Sequence, residues 1–342
     1  MNESSPMKLG KVPYHLLEEL LGRIKIQDPR VLLGPHIGED AALIDYGDKI
    51  LVAKTDPITF ASDLIGWYAV QVNANDVACA GARPRWFLAT LLLPQTITKS
   101  QINSIFDQLV EACASLGISL VGGHSEITQG LTHPIVIGCM LGEVDKDRVV
   151  TTAGAEAGDS IVVTKGIALE GSSLLARENA KDLIASGTDR NSITRASEFL
   201  FQPGIGVTNE ALIACSTVEV HSLHDPTEGG LATGLWEISK ASGVGMIIEE
   251  ETIPILPECA TICRALDLNP LGLLASGCLV IALPQNETNK LISVLKTNGI
   301  QAWEIGHMTD ANQEVMLSNH HSVRPMPTFE RDEFARYLDG LS

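Results

Sequence analysis

The sequence has no run of lysines and arginines, no C-x-x-C pair and no apolar stretch of membrane-spanning length. The first absence argues against nucleic-acid binding. The 342 residues carry 24 Lys and Arg against 42 Asp and Glu, a formal net charge of −18, whereas phosphate backbones are held by clustered cations. That balance suits a soluble acidic surface, and equally a protein that holds an anionic ligand through Mg²⁺. The second absence argues against two-cysteine zinc or redox motifs. Seven cysteines, at 79, 113, 139, 215, 259, 263 and 278, lie mostly in apolar runs, as buried thiols of a reducing compartment do. Cys259 and Cys263 are four apart, half a zinc site that needs two more ligands, and the nearest candidates, His221 and His224, border a glycine turn with other uses. The longest apolar run, 86–93, is too short to span a bilayer, and the first residues show no apolar leader. The expected location is therefore cytoplasmic, with no membrane partner. Aromatic residues are scarce at 4%, yet hydrophobic residues reach 45% and charged ones only 19%, the composition of a folded chain long enough for two cores.

Periodicity orders the elements. An amphipathic helix is predicted over 12–24, with Leu16, Leu17, Leu20 and Leu21 on one face. A hairpin follows: strand 41–44, the turn Asp45-Tyr46-Gly47-Asp48 and strand 50–54. Then come an almost wholly apolar helix at 66–80, a buried strand at 86–93, and a helix at 99–116 between a Thr98 cap and Gly117. Strands at 118–121 and 135–144 complete a first domain, 1–150. The Gly-, Ala- and Thr-rich stretch 151–158 reads as a hinge into a second domain, 151–342. There, strands fit 160–164, 246–249, 277–283 and 301–306. Helices fit 206–215, 229–242, 257–266, 287–298 and 329–338, with a further helical region opening at 169–177. Strands and helices mix without strict alternation, so the fold class expected is α+β rather than a doubly wound parallel sheet.

The chemistry concentrates in carboxylates and glycines. Asp40 precedes the first hairpin strand and Asp56 follows the second, so an antiparallel hairpin brings both to one sheet edge. Asn73 and Asp76, three apart on the apolar helix, share a face and need polar partners. Val121-Gly122-Gly123-His124-Ser125-Glu126 reads as a strand ending in a glycine pair. Several acidic oxygens at one locus suit Mg²⁺, with phosphates completing its octahedron, and Lys54 beside Thr55 and Asp56 offers a point charge to a phosphate oxygen. Asp225-Pro226-Thr227-Glu228-Gly229-Gly230 leads into a helix whose N-terminal N–H groups would suit an anion; Thr227 could equally be a simple cap. Each residue taken singly is ordinary turn chemistry. Taken together they favour a functional site.

In this order, Gly38-Glu39-Asp40-Ala41-Ala42, Lys54-Thr55-Asp56, Asn73-Ala74-Asn75-Asp76, Gly81-Ala82-Arg83-Pro84, Gly122-Gly123-His124-Ser125-Glu126 and Asp225–Ala232 resemble the aminoimidazole ribonucleotide (AIR) synthase-related superfamily, and most of all its hydrogenase-maturation branch, the HypE proteins. The resemblance implies an N-terminal domain whose sheet pairs with its twin in a homodimer, and a C-terminal α+β domain closing over ATP. It implies Mg²⁺ on Asp40, Asp56, Asp76 and Asp225, and catalytic roles for Asp56, Lys54 and Glu126. Thr55, Asn73, Gly122, Gly123, His124, Asp225, Thr227, Glu228, Gly229 and Gly230 would contact the nucleotide. The activity implied is ATP-dependent phosphorylation of an oxygen on a small substrate, which turns that oxygen into a leaving group. Two departures stand out. The sequence closes on Leu338-Asp339-Gly340-Leu341-Ser342, without the terminal cysteine on which HypE proteins carry a carbamoyl group. His124 stands where those proteins usually place Asp, and a neutral imidazole is a poor Mg²⁺ ligand unless Glu126 compensates. Thiamine-monophosphate kinase is the alternative enzyme of the same superfamily. A nucleotide-binding partner protein without turnover is the alternative of another class.

Overall fold

The computed structural model describes residues 9–61, 63–310 and 314–340. The first eight residues and the last two, Leu341 and Ser342, on which the expectations about a leader and a terminal cysteine bear, lie outside them. Six strands, β1 (Val31–Leu33), β2 (Ala42–Tyr46), β3 (Lys49–Ile58), β4 (Arg83–Pro94), β5 (Ser119–Thr128) and β6 (Ile135–Asp145), form a first sheet. Its order is β1-β2-β3-β6-β4-β5, antiparallel except for the β4/β5 pair. A second sheet takes β7 (Asp159–Thr164), β8 (Ser222–His224), β9 (Gly245–Glu249), β10 (Val280–Pro284), β11 (Ala302–Thr309), β12 (Val315–Asn319) and β13 (Ser322–Pro325). Its order is β13-β12-β9-β11-β7-β10-β8, with only β12/β9 parallel. Both sheets are mixed and helices flank them, the α+β class expected.

The apolar helix Ile65–Cys79 explains the joint between the two sheets. Every residue from Tyr68 to Cys79 is buried, because one side packs on β3 and β6, another on helix Lys99–Leu116, and a third on helix Thr208–Thr217 of the second half. A helix apolar on all sides is a helix enclosed on all sides. Its Asn75 serves that enclosure. Asn75 accepts from Val207 N–H at 2.7 Å and donates to the Ile205 carbonyl at 2.9 Å. Gly66 lets the two helices approach, since a Cβ there would lie 2.6 Å from the Ile105 carbonyl.

Local signals account for several boundaries. In the hairpin Gly47 takes φ +84° and its N–H donates to Asp45 at 3.1 Å. Thr98 caps helix Lys99–Leu116 in a reciprocal box with Gln101, and Gly117 ends it in the left-handed region. Thr98→Ala is expected to cost about 1 kcal/mol of stability, read as a lowered urea midpoint at unchanged slope; an unchanged midpoint would mean that the box is idle.

Two expectations change. The strand foreseen at 118–121 runs on to Thr128, straight through Gly122 and Gly123, as the outer edge of the sheet. Gly123, at φ +149°, is there because a Cβ would fall 1.9 Å from the Ala89 carbonyl. Glycine inside a strand signals close backbone approach as often as a strand end. The stretch 151–158, read as the link between the domains, is tied to both: Glu39 accepts from Thr152 and Ala153 N–H, and Ser222 donates to the Thr152 carbonyl. Helices Ala180–Ala185 and Arg190–Ser197 and strands β12 and β13 were not foreseen, being short.

Candidate active site

The pleat of β3 sorts its residues. Lys54 and Asp56, two apart, share the face toward helix Ile65–Cys79, where Asp76 waits, while Thr55 points to the opposite face and donates to the Gly138 carbonyl at 2.7 Å. Lys54 Nζ lies 3.1 Å from Asp76 and 3.9 Å from Asp56. Burial alone would lower its pKa; Asp76, Asp56, Asp40 and Asp225 outweigh burial and raise it. All four sequence-selected aspartates therefore surround one cation.

Behind Lys54 the cluster closes. Asp40, Cys79 and Asp225 present ligand atoms that all lie within 4.8 Å of one another. Asp225 is 2% exposed, and burial, then Asp40, push its carboxyl up to about 7. Burial also raises Asp76 and Asp56, against the pull of Lys54. Asp76 Oδ2 and Asp225 Oδ2 are buried without any hydrogen-bond partner. Two orphaned carboxylate oxygens cost free energy unless something positive meets them, so the donor set fits a hard divalent cation. The Cys79 thiol, pushed well up by burial and by Asp225, remains a protonated neighbour that donates to Asp225 at 3.5 Å.

A second relay lies beside the first. His224 bridges Asp40 through Nδ1 and Glu237 through Nε2, both at 3.0 Å. Burial opposes its charge, but Asp40 and Glu237 outweigh burial and keep the imidazolium. Glu237 in turn accepts from Tyr14 Oη at 2.7 Å and, despite burial, is held down to about 2 by Lys11, His224 and Tyr14. This chain of contacts orients Asp40. The sequence hinted at it only through the position of His224 beside the glycine turn.

The glycine turn differs from the anion cradle its sequence suggests. Gly229 N–H is already taken by Asp332 at 2.7 Å, from the cap of helix Glu333–Asp339. Gly230, at φ +65°, is required because a Cβ would lie 2.4 Å from the Leu271 carbonyl. Thr227 and Glu228 remain on the open side, where Lys11 reaches both at 3.3 and 3.2 Å. Asn73 is fully buried and donates to the Asp56 and Ala69 carbonyls, so it shapes the backbone of Asp56.

Gly122, Gly123, His124 and Glu126 are not brought to the aspartates within this chain. They lie on β5, three strand spacings from β3, about 14 Å. His124 and Glu126 contact each other at 3.3 Å with their side chains 66% and 49% exposed. Other neighbours of the cluster passed unnoticed in the sequence: Glu170 and Ser276 line a cavity bordered by Asp56 and Thr227.

Comparisons agree with this architecture. The model for the AIR synthase related protein N-terminal domain matches residues 38–144, and that for the C-terminal domain matches 156–318. A protein of Methanocaldococcus jannaschii, provisionally named hydrogenase expression/formation protein, is 26% identical over 317 residues, 90% of this chain and 91% of its own. Carbamoyl dehydratase HypE of Cupriavidus necator is 28% identical over 288 residues, 83% of this chain and 77% of its own. Among solved structures, a HypE–HypF complex gives a TM-score of 0.74 at 21% identity, covering 92% of this chain and 100% of that one. HypE in complex with ATP gives 0.69 at 20%, covering 92% and 91%. Thiamine monophosphate kinase from Aquifex aeolicus gives 0.67 at 20%, covering 89% and 95%. With both halves matched, the chain belongs to the AIR synthase-related family.

Proposed function

We propose that the chain is an ATP- and Mg²⁺-dependent enzyme that phosphorylates, and so activates, an oxygen of an acceptor supplied from outside. The observation that carries this reading is the convergence of Asp40, Asp56, Asp76 and Asp225 around Lys54, with two carboxylate oxygens left unpartnered. Those carboxylates would hold the cation, whose chemistry is to neutralise phosphate charge. Lys54 sits where its ammonium can pass from Asp76 to a phosphate oxygen, and His224 keeps Asp40 oriented. In the transfer the acceptor oxygen attacks the γ-phosphorus, the bond to the bridging oxygen breaks, and ADP leaves with that electron pair. Similarity to carbamoyl dehydratase HypE supports a carbonyl-type acceptor whose phosphorylated oxygen is then expelled, and a setting in hydrogenase maturation. The HypE–HypF neighbour supports a protein as carrier of that acceptor. A homodimer is supported by the open face of the first sheet, which carries Trp86, 37% exposed, among half-buried Leu88, Leu92, Ile137 and Leu141. Thr55, on that face, and His124 and Glu126, on the exposed edge, belong to such an interface rather than to their own chain's aspartates.

The test is calorimetric titration of ATP with and without Mg²⁺, followed by assay of the same sample for ADP. Binding at least tenfold tighter with Mg²⁺, with slow ADP release, is the expected result. Binding without turnover would favour a non-catalytic partner protein, and absence of binding would make the carboxylate cluster structural.

A further inference from the structure

We propose that Lys11 is a second phosphate-contacting residue of the nucleotide site, carried there by the N-terminal segment and positioned by Tyr14. The inference rests on the nucleotide reading of the aspartate cluster, and adds a residue from outside the motifs that define it. None of residues 9–21 is fully buried, and the helix Tyr14–Leu21 sends no side chain into the core. A segment of that kind gains little from apolar burial, so its individual polar and aromatic contacts fix its place.

Those contacts fall on residues of the site. Lys11 Nζ donates to the Thr227 hydroxyl at 3.3 Å and pairs with Glu228 at 3.2 Å. Tyr14 Oη donates at 2.7 Å to Glu237, the carboxylate that His224 links to Asp40. The Tyr14 ring lies 4.9 Å from that of Trp236, tilted by 51°. On the other flank the Leu9 carbonyl accepts from Arg331 Nε at 3.1 Å. Lys11 is therefore held from both sides, whereas an ordinary surface lysine has only its own stem to place it.

Lys11 and Lys54 address the cluster from opposite ends. Lys54 takes the buried end, 3.1 Å from Asp76. Lys11 stands at the glycine turn, whose Thr227 and Glu228 border a cavity together with Asp56. Asp56 feels both cations: burial raises its carboxyl, and Lys54 and Lys11 pull against burial. The terminal phosphate belongs on the open side, where an acceptor can reach it, and Lys11 is the ammonium stationed there. Its present partners do not prevent the contact. The pair with Glu228 leaves the two side chains 42% and 32% exposed, and ion pairs of that kind contribute little to stability. An ammonium carries three donors on a flexible stem, so it can keep Glu228 and still donate to a phosphate oxygen, a stronger acceptor than a hydroxyl.

The experiment is calorimetry on the full chain with Mg²⁺, using ATP and ADP in parallel. Lys11→Met should weaken Mg-ATP binding about tenfold or more, the loss of a charge-assisted contact, while Mg-ADP affinity stays within about threefold. Lys11→Arg keeps the charge and should remain within about threefold of the parent for both nucleotides. Without nucleotide, Lys11→Met should melt with the parent, since the pair it breaks is partly exposed. Tyr14→Phe retains the ring on Trp236 and loses the hydroxyl. It should weaken Mg-ATP binding about threefold, and the double variant should bind no more weakly than Lys11→Met alone, the non-additivity of residues that act as one unit. Unchanged ATP affinity in Lys11→Met, or an equal loss for ATP and ADP, would overturn the phosphate contact. Fully additive losses would overturn the positioning role of Tyr14. Failure of the parent to bind Mg-ATP would instead overturn the nucleotide reading beneath both.

Discussion

Asp225→Asn is expected to leave the apoprotein at least as heat-stable as the parent at pH 8, and to weaken Mg²⁺-dependent ATP binding at least tenfold. The two effects have one cause. Asp225 is ordinarily ionised above 3.8, yet burial and the neighbouring Asp40 push it up to about 7, with His224 and Lys54 only partly opposing. A carboxyl raised in the folded state contributes stability below its unfolded pKa, and loses that contribution as pH climbs through the folded value. Each unit corresponds to about 1.4 kcal/mol, so the window between about pH 4 and 7 removes on the order of 4 kcal/mol as an upper bound. Asp332, pushed by burial to about 7, and Glu170, pushed to about 8, slope the same way. Scanning calorimetry of the apoprotein should therefore give a melting temperature that falls from pH 5 to pH 8. The asparagine variant should fall less steeply, because it retains an acceptor for the Cys79 thiol and cannot ionise. Mg²⁺ should raise the melting temperature of the parent more at pH 8 than at pH 5. A variant with the parental pH slope and parental Mg-ATP affinity would remove Asp225 from the site.

The legible part of this protein was whatever local rules decide. The hairpin was readable from Asp45 and Gly47, and helix Lys99–Leu116 from Thr98 and Gly117, because a turn and a cap use residues a few positions apart. The grouping of Asp40 with Asp56 followed from antiparallel pairing, and that of Asp76 from helical spacing. What was illegible depends on distant chain. Gly122 and Gly123 look like a strand terminus until Ala89 is set against them. The Gly229 N–H looks free for an anion until Asp332, more than a hundred residues on, takes it. His224 and Glu237 are thirteen apart and meet only because the turn folds the helix Gly230–Ser242 back against β8. Nor does sequence alone say that Thr55 faces away from Asp56, although the period of two in a strand contains that answer once the strand is known to run unbroken through both.

Lys54→Met should lower stability by several kcal/mol, and Mg²⁺ should reverse it. Among the described residues, Lys54 is the one positive group that Asp56 and Asp76 both contact, and the Asp76 side chain is 3% exposed. Removing one partner of a buried pair leaves the other charge uncompensated, a loss of about 3–5 kcal/mol. For a unit the size of either half of this chain that is roughly 6–20 °C in melting temperature, at 2–4 °C for each kcal/mol. The methionine fills the stem's volume, so the deficit is one of charge rather than of packing. A divalent cation supplies the missing charge at the same oxygens. Millimolar Mg²⁺ should therefore recover most of the lost stability in Lys54→Met and produce a smaller rise in the parent, where the ammonium competes for Asp76. Lys54→Arg, which keeps the charge, should melt near the parent without added metal. ADP release should still fall at least tenfold in Lys54→Met with Mg²⁺ present, because the cation replaces Lys54 as a counter-ion but not as a phosphate contact. If the methionine variant melts within a degree of the parent and ignores Mg²⁺, the aspartates are neutral in the folded apoprotein. Lys54 would then be an ordinary strand lysine, and the site would have to be built without it.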